Sequence, residues 1–66
     1  MAVDTVLQAG DICTLKEAEQ DVELVPAGTQ VTLTSQNGIC WYCEGMVNGM
    51  KRLLLIFADN LKPVPN

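Results

Sequence analysis

An all-β fold, a small five-stranded barrel or sandwich in a single domain, is what this sequence predicts, and three observations support it. Thr29 to Thr34 alternates between apolar and polar side chains, with Val31 and Leu33 on one face, which is typical of a half-buried strand. Ser35-Gln-Asn-Gly38 and Val47-Asn-Gly49 are turn signals between apolar segments. The chain has 66 residues, which is enough for one core only.

The strands are short and spaced at near-regular intervals. Residues 1–10 carry little pattern and are expected to form an N-terminal extension to a domain that spans residues 11–66. Ala58 to Asn60 is long enough for no more than a single tight turn. Closure into a barrel would remove the sheet edges that otherwise pair with neighbours. The predicted strands are, in order, Asp11–Leu15, Thr29–Thr34, Ile39–Cys43, Lys51–Phe57 and Leu61–Val64.

Two structures compete for Lys16 to Leu24. In a helix, Thr14 would be the N-cap and Glu17 its capping-box partner. In an extended chain, alternate acidic side chains would form a stripe on one face, and this extended loop is the favoured prediction. The residues of the predicted acidic stripe are Glu17, Glu19, Asp21 and Glu23.

The composition is that of a folded chain, which we expect in the cytoplasm. Apolar residues make up 48% of the sequence and charged residues 18%, the reverse of the balance in disordered chains. The three cysteines cannot form a closed set of disulfides, and Met1-Ala-Val-Asp4 lacks the basic start and apolar run of a signal peptide. The longest apolar stretch, Leu53 to Phe57, is too short to span a membrane.

The net charge of −4 indicates the class of partner. Nucleic-acid binders usually present a basic face, and here only Lys51-Arg52 and Lys62 could cluster. We therefore expect a protein partner or a homo-oligomer, with no direct nucleic-acid binding and no membrane.

Two stretches resemble SH3 domains and their bacterial SH3-like relatives. Val22 to Leu33 (VELVPAGTQVTL), followed by Asn37-Gly38 and Trp41-Tyr42, is similar to the hydrophobic residue, xxGTxVTL strand, polar turn and paired-aromatic strand of those families. Phe57 to Val64 resembles their closing segment, a single helical turn followed by a last strand. The resemblance implies a five-stranded SH3-like barrel over residues 11–66.

The sequence departs from this family pattern where the SH3 proline-binding groove would lie, and it is expected to lose most of the stacking surface of that groove. That groove stacks several aromatic side chains and a proline against a polyproline helix. Trp41 matches the groove tryptophan, but Ile12 to Leu15 lacks the family's tyrosines. Ala58 and Leu61 stand where the groove proline and its last tyrosine belong.

Trp41-Tyr-Cys43 is also similar to a strand of type II dihydrofolate reductase, another short SH3-like barrel. The resemblance implies an active site with a Gln and a Tyr on a later strand. Leu54 to Phe57 is the nearest counterpart, and it has neither polar group to orient nicotinamide or pterin. We therefore expect no such activity.

Cys40-Trp-Tyr-Cys43 is a CxxC motif, which can bind zinc or cycle as a dithiol. On a strand, residues three apart point to opposite faces, so the two sulfurs should diverge. The sequence contains no histidine, either as a further metal ligand or as a base for a nucleophile. The prediction is three small buried or half-buried thiols at Cys13, Cys40 and Cys43, with no cofactor, no metal and no catalytic residue.

Lys51 to Phe57 is the most informative segment, because five consecutive apolar residues break the alternation expected of a barrel strand. If Phe57 points inward with Leu53 and Leu55, then Leu54 and Ile56 face outward as a docking surface. The alternative is that residues 1–10 cover this face through Val3, Val6 and Leu7.

These observations predict a non-catalytic interaction or assembly module that docks on itself or on a larger protein. One alternative is an inhibitor or regulatory subunit whose acidic stripe meets a basic surface. Another is a metal or redox protein that uses the three thiols. The predicted partner-binding residues are Trp41, Tyr42, Met46, Met50, Leu54, Ile56 and Leu61.

Overall fold

A computed structural model describes the chain over residues 6–21 and 23–64. Most of these residues lie in strands, and the helical element among them is a 3-10 turn at Ala58–Asn60. The all-β prediction is confirmed. The strands are β1 (Ile12–Leu15), β2 (Glu19–Gln20), β3 (Leu24–Val25), β4 (Gln30–Asn37), β5 (Cys40–Val47), β6 (Met50–Phe57) and β7 (Leu61–Pro63).

Five of the strands form one antiparallel sheet, in the order β6-β5-β4-β1-β7. The remaining two, β2 and β3, form a separate two-stranded hairpin. β6 and β7 therefore occupy the two edges of the main sheet, and within the described ranges no ladder joins them. The five predicted strands correspond to the five strands of this sheet. β4, β5 and, by one residue, β6 extend beyond the predicted bounds, whereas β1 and β7 are each one residue shorter.

Two tight turns set the register of the long strands. Asn48 and Gly49 both have positive φ, 52° and 78°, as a type I′ hairpin turn requires. In the preceding turn, Gly38 has a φ of 62° and is followed by Ile39, while Asn37 remains in β4 and pairs with Cys40. The Asn-Gly signal thus marked the correct hairpin, with the turn displaced by one residue.

The core lies on one face of the main sheet. Gly45 lets β5 and the Val31 side chain of β4 pack closely on this face, because a Cβ at position 45 would stand 2.9 Å from Val31 Cγ1. Leu7 and Ala58 pack against the core from the side. The buried residues are Cys13, Leu15, Val25, Val31, Leu33, Trp41, Cys43, Val47, Leu54, Ile56 and Leu61.

The predicted orientation of β6 is wrong. Leu54 and Ile56 are each 2% exposed and belong to the core, whereas Leu53, Leu55 and Phe57 point outward. The physical reason is the register, because residues directly opposite each other in an antiparallel pair share a face.

The register also places Trp41 inside. Trp41 faces Ile56 and Cys43 faces Leu54 across the β5–β6 ladder, so these four side chains lie on one side of the sheet. Grouping Trp41 with Leu54 and Ile56 was correct, but the side assigned to the group was inverted. Leu61 is also buried rather than exposed.

The segment from Lys16 to Asp21 is extended, as the sequence analysis predicted in preference to a helix, and Asn60 holds it in place. The Asn60 side chain accepts a hydrogen bond from Glu17 N–H at 2.8 Å and donates to the Glu17 carbonyl oxygen at 3.0 Å. It also donates to Glu19 Oε2 at 2.6 Å. The amide therefore acts like one more residue of a β-ladder, and it ties the loop to the 3-10 turn.

Replacing Asn60 with Asp tests this clamp, because the introduced carboxylate cannot donate to the Glu17 carbonyl or to Glu19. We expect Asn60→Asp to lower the free energy of unfolding at pH 7 by about 1–3 kcal/mol. The loss should exceed that of Asn60→Ala, which removes the hydrogen bonds without adding charge beside Glu19.

Urea denaturation of both variants, at neutral pH and below about pH 4, measures the effect. In acid, protonation of the introduced carboxyl group restores a hydrogen-bond donor. The difference in free energy of unfolding between Asn60→Asp and wild type should therefore decrease. An Asn60→Asp variant as stable as wild type at pH 7 would contradict the proposed clamp.

Candidate functional site

Three large apolar side chains stand in a row on the outer face of β6. Leu53, Leu55 and Phe57 are 62%, 51% and 55% exposed, and we call them the apolar ridge. Large apolar side chains clustered at the surface are typical of contact sites, whereas scattered ones are ordinary. The ridge is therefore the first candidate for a functional surface.

The neighbouring strand β5 supplies the flank of the ridge. Across the ladder, Glu44, Tyr42 and Cys40 stand opposite Leu53, Leu55 and Phe57 respectively. All three are half-buried on β5. The Tyr42 hydroxyl accepts a weak hydrogen bond of 3.4 Å from Asn37 Nδ2. The surface thus combines an apolar edge with a polar and aromatic border.

The backbone of β6 is also open at the ridge. Ala58 N–H donates to the Ile39 carbonyl oxygen at 2.9 Å, so the backbone groups of even-numbered residues in β6 point toward β5. Because successive residues alternate, the N–H and C=O groups of Leu53, Leu55 and Phe57 point away from the sheet. In the described part of the chain, β6 pairs with β5 alone. Within that part, the same three residues therefore present both apolar side chains and unpaired backbone groups to a partner.

The two ends of β6 differ in their charged groups: the first carries two cations paired with carboxylates, and the second carries carboxylates. Lys51 forms an exposed ion pair of 3.4 Å with Glu44, and Arg52 contacts Glu23 at 2.8 Å. At the other end, Phe57 lines a shallow depression. Its other lining residues include the acidic side chains Glu17, Glu19 and Asp59.

The predicted partner-binding residues divide into two groups. Tyr42 borders the ridge, and Met46 and Met50 are exposed near the β5–β6 turn. Sequence reasoning missed the ridge itself, which lies on the opposite face of the same strand. The predicted residues that lie in the core instead are Trp41, Leu54, Ile56 and Leu61.

Residues 6–10 do not cover the ridge. Val6 is 73% exposed, and Leu7 packs against the core in a groove that it lines with Leu15, Ala58 and Leu61. The alternative in which this segment shields an outward face of β6 is therefore wrong for Val6 and Leu7. Val3 lies outside the described residues.

The acidic stripe is partly occupied by contacts within the chain. Glu19 accepts the hydrogen bond from Asn60, and Glu23 binds both Arg52 and Asn48 Nδ2. Glu17 and Asp21 remain exposed. Two of the four carboxylates thus serve the structure of the β2–β3 region.

The cysteines diverge as the strand geometry predicted. Cys40 is half-buried on the outer face of β5, whereas Cys13 and Cys43 are buried in the core, and all three are free thiols. The Cys43 thiol donates a hydrogen bond of 3.4 Å to the Trp41 carbonyl oxygen. Among residues 6–21 and 23–64, no group of three or more Cys, Asp or Glu side chains could hold a metal ion.

Burial changes the acidity of the two core thiols. Desolvation raises the pKa of Cys43 to about 11, with a smaller contribution from Cys13. Desolvation also raises the pKa of Cys13, and the nearby Asp11 carboxylate adds to the effect. Both thiols therefore stay protonated at neutral pH, a state that is poorly nucleophilic and poorly suited to binding metal.

No family model, curated protein or solved structure matches this chain. In the described ranges, none of the helical structure is long and apolar enough to cross a membrane.

Thiol labelling distinguishes the outer cysteine from the core pair. At pH 8 in native buffer, we expect iodoacetamide to modify Cys40 first, because Cys13 and Cys43 are buried and protonated. Mass spectrometry of digested samples measures the rate at each site, and Cys40→Ser is the control that removes the fast phase. Equal rates at all three sites in the folded protein would contradict this arrangement.

Proposed function

We propose that this chain is a non-catalytic protein–protein interaction module that docks through the apolar ridge of Leu53, Leu55 and Phe57. The observation that carries the proposal is the position of these side chains, which are more than half exposed on an edge strand. Among residues 6–21 and 23–64, this strand pairs with β5 alone. Soluble proteins usually protect such an edge with charges, a proline or a covering segment, because it pairs readily with other chains.

The ridge offers apolar area that a partner could bury with a gain in free energy. Full burial of a Leu or Phe side chain contributes roughly 1.5–3 kcal/mol, so covering the exposed half of each ridge residue would contribute on the order of 1 kcal/mol apiece. Backbone hydrogen bonds along the edge would add direction to this apolar attraction. A partner that used both could bind in one register rather than by unspecific adhesion.

We also propose that the fold is an SH3-like barrel, in keeping with the sequence resemblance. The antiparallel sheet of five strands supports this assignment, as does the 3-10 turn Ala58–Asn60 that leads directly into β7. The docking mode would differ from that of SH3 domains. Trp41 is only 5% exposed, so it has little surface to offer a polyproline helix.

The absence of catalysis is part of the proposal. The sequence has no histidine to activate a nucleophile, and the two core thiols have raised pKa values. The acidic-inhibitor alternative has weaker support than the ridge, because Glu19 and Glu23 are engaged within the chain.

Site-specific photo-crosslinking tests the docking surface. A benzophenone side chain in place of Leu55 should capture another protein chain in the cells that produce this protein, and the adduct should disappear in a Leu53→Ser/Phe57→Ser background. The matched control carries the same group in place of Leu24, an apolar residue on β3 that is 57% exposed outside the ridge.

The outcome that would refute the proposal is equally specific. If position 55 captures no more protein than position 24, or if the adduct persists after both serine substitutions, then the ridge is not the docking surface. Circular dichroism of the serine variant confirms that it folds, which is expected because both substituted side chains are exposed.

A further inference from the structure

We propose that the partner on the apolar ridge is a second copy of this chain, added edge to edge so that the two β6 strands run antiparallel about a two-fold axis at Leu55. This inference rests on the proposed docking function and specifies its occupant. Three features of β6 support it: the direction of its backbone groups, the order of its side chains and the charges at its ends.

The backbone groups permit this pairing in only some registers. Leu53, Leu55 and Phe57 direct their N–H and C=O groups outward, and an antiparallel pair forms its two hydrogen bonds only where two such residues face each other. Odd-numbered residues of one copy must therefore face odd-numbered residues of the other. Phe57 is still extended, with φ −62° and ψ 139°, so the ladder can include it.

The side chains select one register from those that remain. With Leu55 facing Leu55 of the second copy, Leu53 faces Phe57, and every ridge residue meets an apolar partner. Moving the register to the next allowed position in one direction puts Phe57 opposite Lys51. Moving it in the other direction puts Leu53 opposite Asp59. Only the register centred on Leu55 keeps all ridge residues in apolar pairs.

The charges at the ends of β6 favour a second copy over an unrelated strand. β6 begins near Arg52, which is bound to Glu23, and Lys51, whose contact with Glu44 is exposed. It ends beside the acidic residues Asp59, Glu17 and Glu19. In an antiparallel pair, the exposed Lys51 of each copy lies beside the acidic end of the other copy. Lys51 then comes alongside Asp59, which forms no ion pair among the described residues, and the present Lys51–Glu44 contact is exposed and weak.

The opposite edge of the sheet, β7, is less suited to pairing with another chain. β7 has three residues, and two of them are Lys62 and Pro63, which are typical of a protected edge. Association therefore uses one edge per copy. Two copies related by a two-fold axis close on themselves, so the expected product is a dimer rather than a fibre.

Sedimentation equilibrium of the full chain tests the dimer. We expect wild type to be dimeric, and Leu55→Lys to raise the dissociation constant at least about tenfold, because two like charges would face each other at the axis. Met46→Lys is the matched control, since Met46 is 59% exposed on the same face of the sheet but lies on β5, away from the open edge.

Cysteine crosslinking tests the register independently of any loss of folding. In a Cys40→Ser background, Leu55→Cys should form an intermolecular disulfide on oxidation. Leu53→Cys and Phe57→Cys should crosslink with each other when mixed, but each much less when alone. Crosslinking of Leu53→Cys alone, as efficient as that of Leu55→Cys, would overturn the register.

Failure of this inference is distinguishable from failure of the docking function. A wild-type chain that stays monomeric up to about 1 mM, together with a photo-crosslink from position 55 to a different protein, would refute the dimer and leave the docking face intact. A monomeric chain without any ridge-dependent crosslink would refute both.

Discussion

The register of β5 against β6 is the constraint on which the rest of this structure depends. The pairs Trp41–Ile56 and Cys43–Leu54 decide which alternate residues of the apolar run Leu53 to Phe57 are buried. Once these residues enter the core, Leu53, Leu55 and Phe57 must point outward, because neighbouring residues in a strand alternate between faces. The core and the exposed ridge are thus two consequences of one hairpin register.

Sequence reasoning could predict the strands but not the buried face of β6. Alternation in β4 and the glycine turns locate the strands. In β6, by contrast, Leu53 to Phe57 is apolar at odd- and even-numbered positions alike, so its own sequence does not indicate which face is buried. The signal lies in β5, where Glu44 shares a face with Tyr42 and Gly45 shares a face with Trp41. A carboxylate belongs at the surface, so Glu44 could have placed Trp41 in the core.

The segment after β1 shows a second limit of prediction from local pattern. Capping residues and an alternating stripe are both present at Lys16 to Leu24, so short-range preferences do not decide between helix and extended chain. The extended form is stabilised by Asn60, which lies 43 residues beyond Glu17 in the sequence. Its side-chain amide forms hydrogen bonds with both backbone groups of Glu17. A contact of that separation depends on the finished sheet, and no window of neighbouring residues contains it.

Stability and association are linked in a chain of this size. A single core below roughly 70–80 residues rarely supplies more than about 3–5 kcal/mol, so a second surface that buries apolar area has a disproportionate effect. Any partner that binds only the folded state stabilises it by mass action. Leaving three large side chains on an open edge is costly for a solitary domain, because the same edge invites aggregation. The arrangement is advantageous if the edge is normally covered, since the covering contact then adds stability that the small core cannot provide.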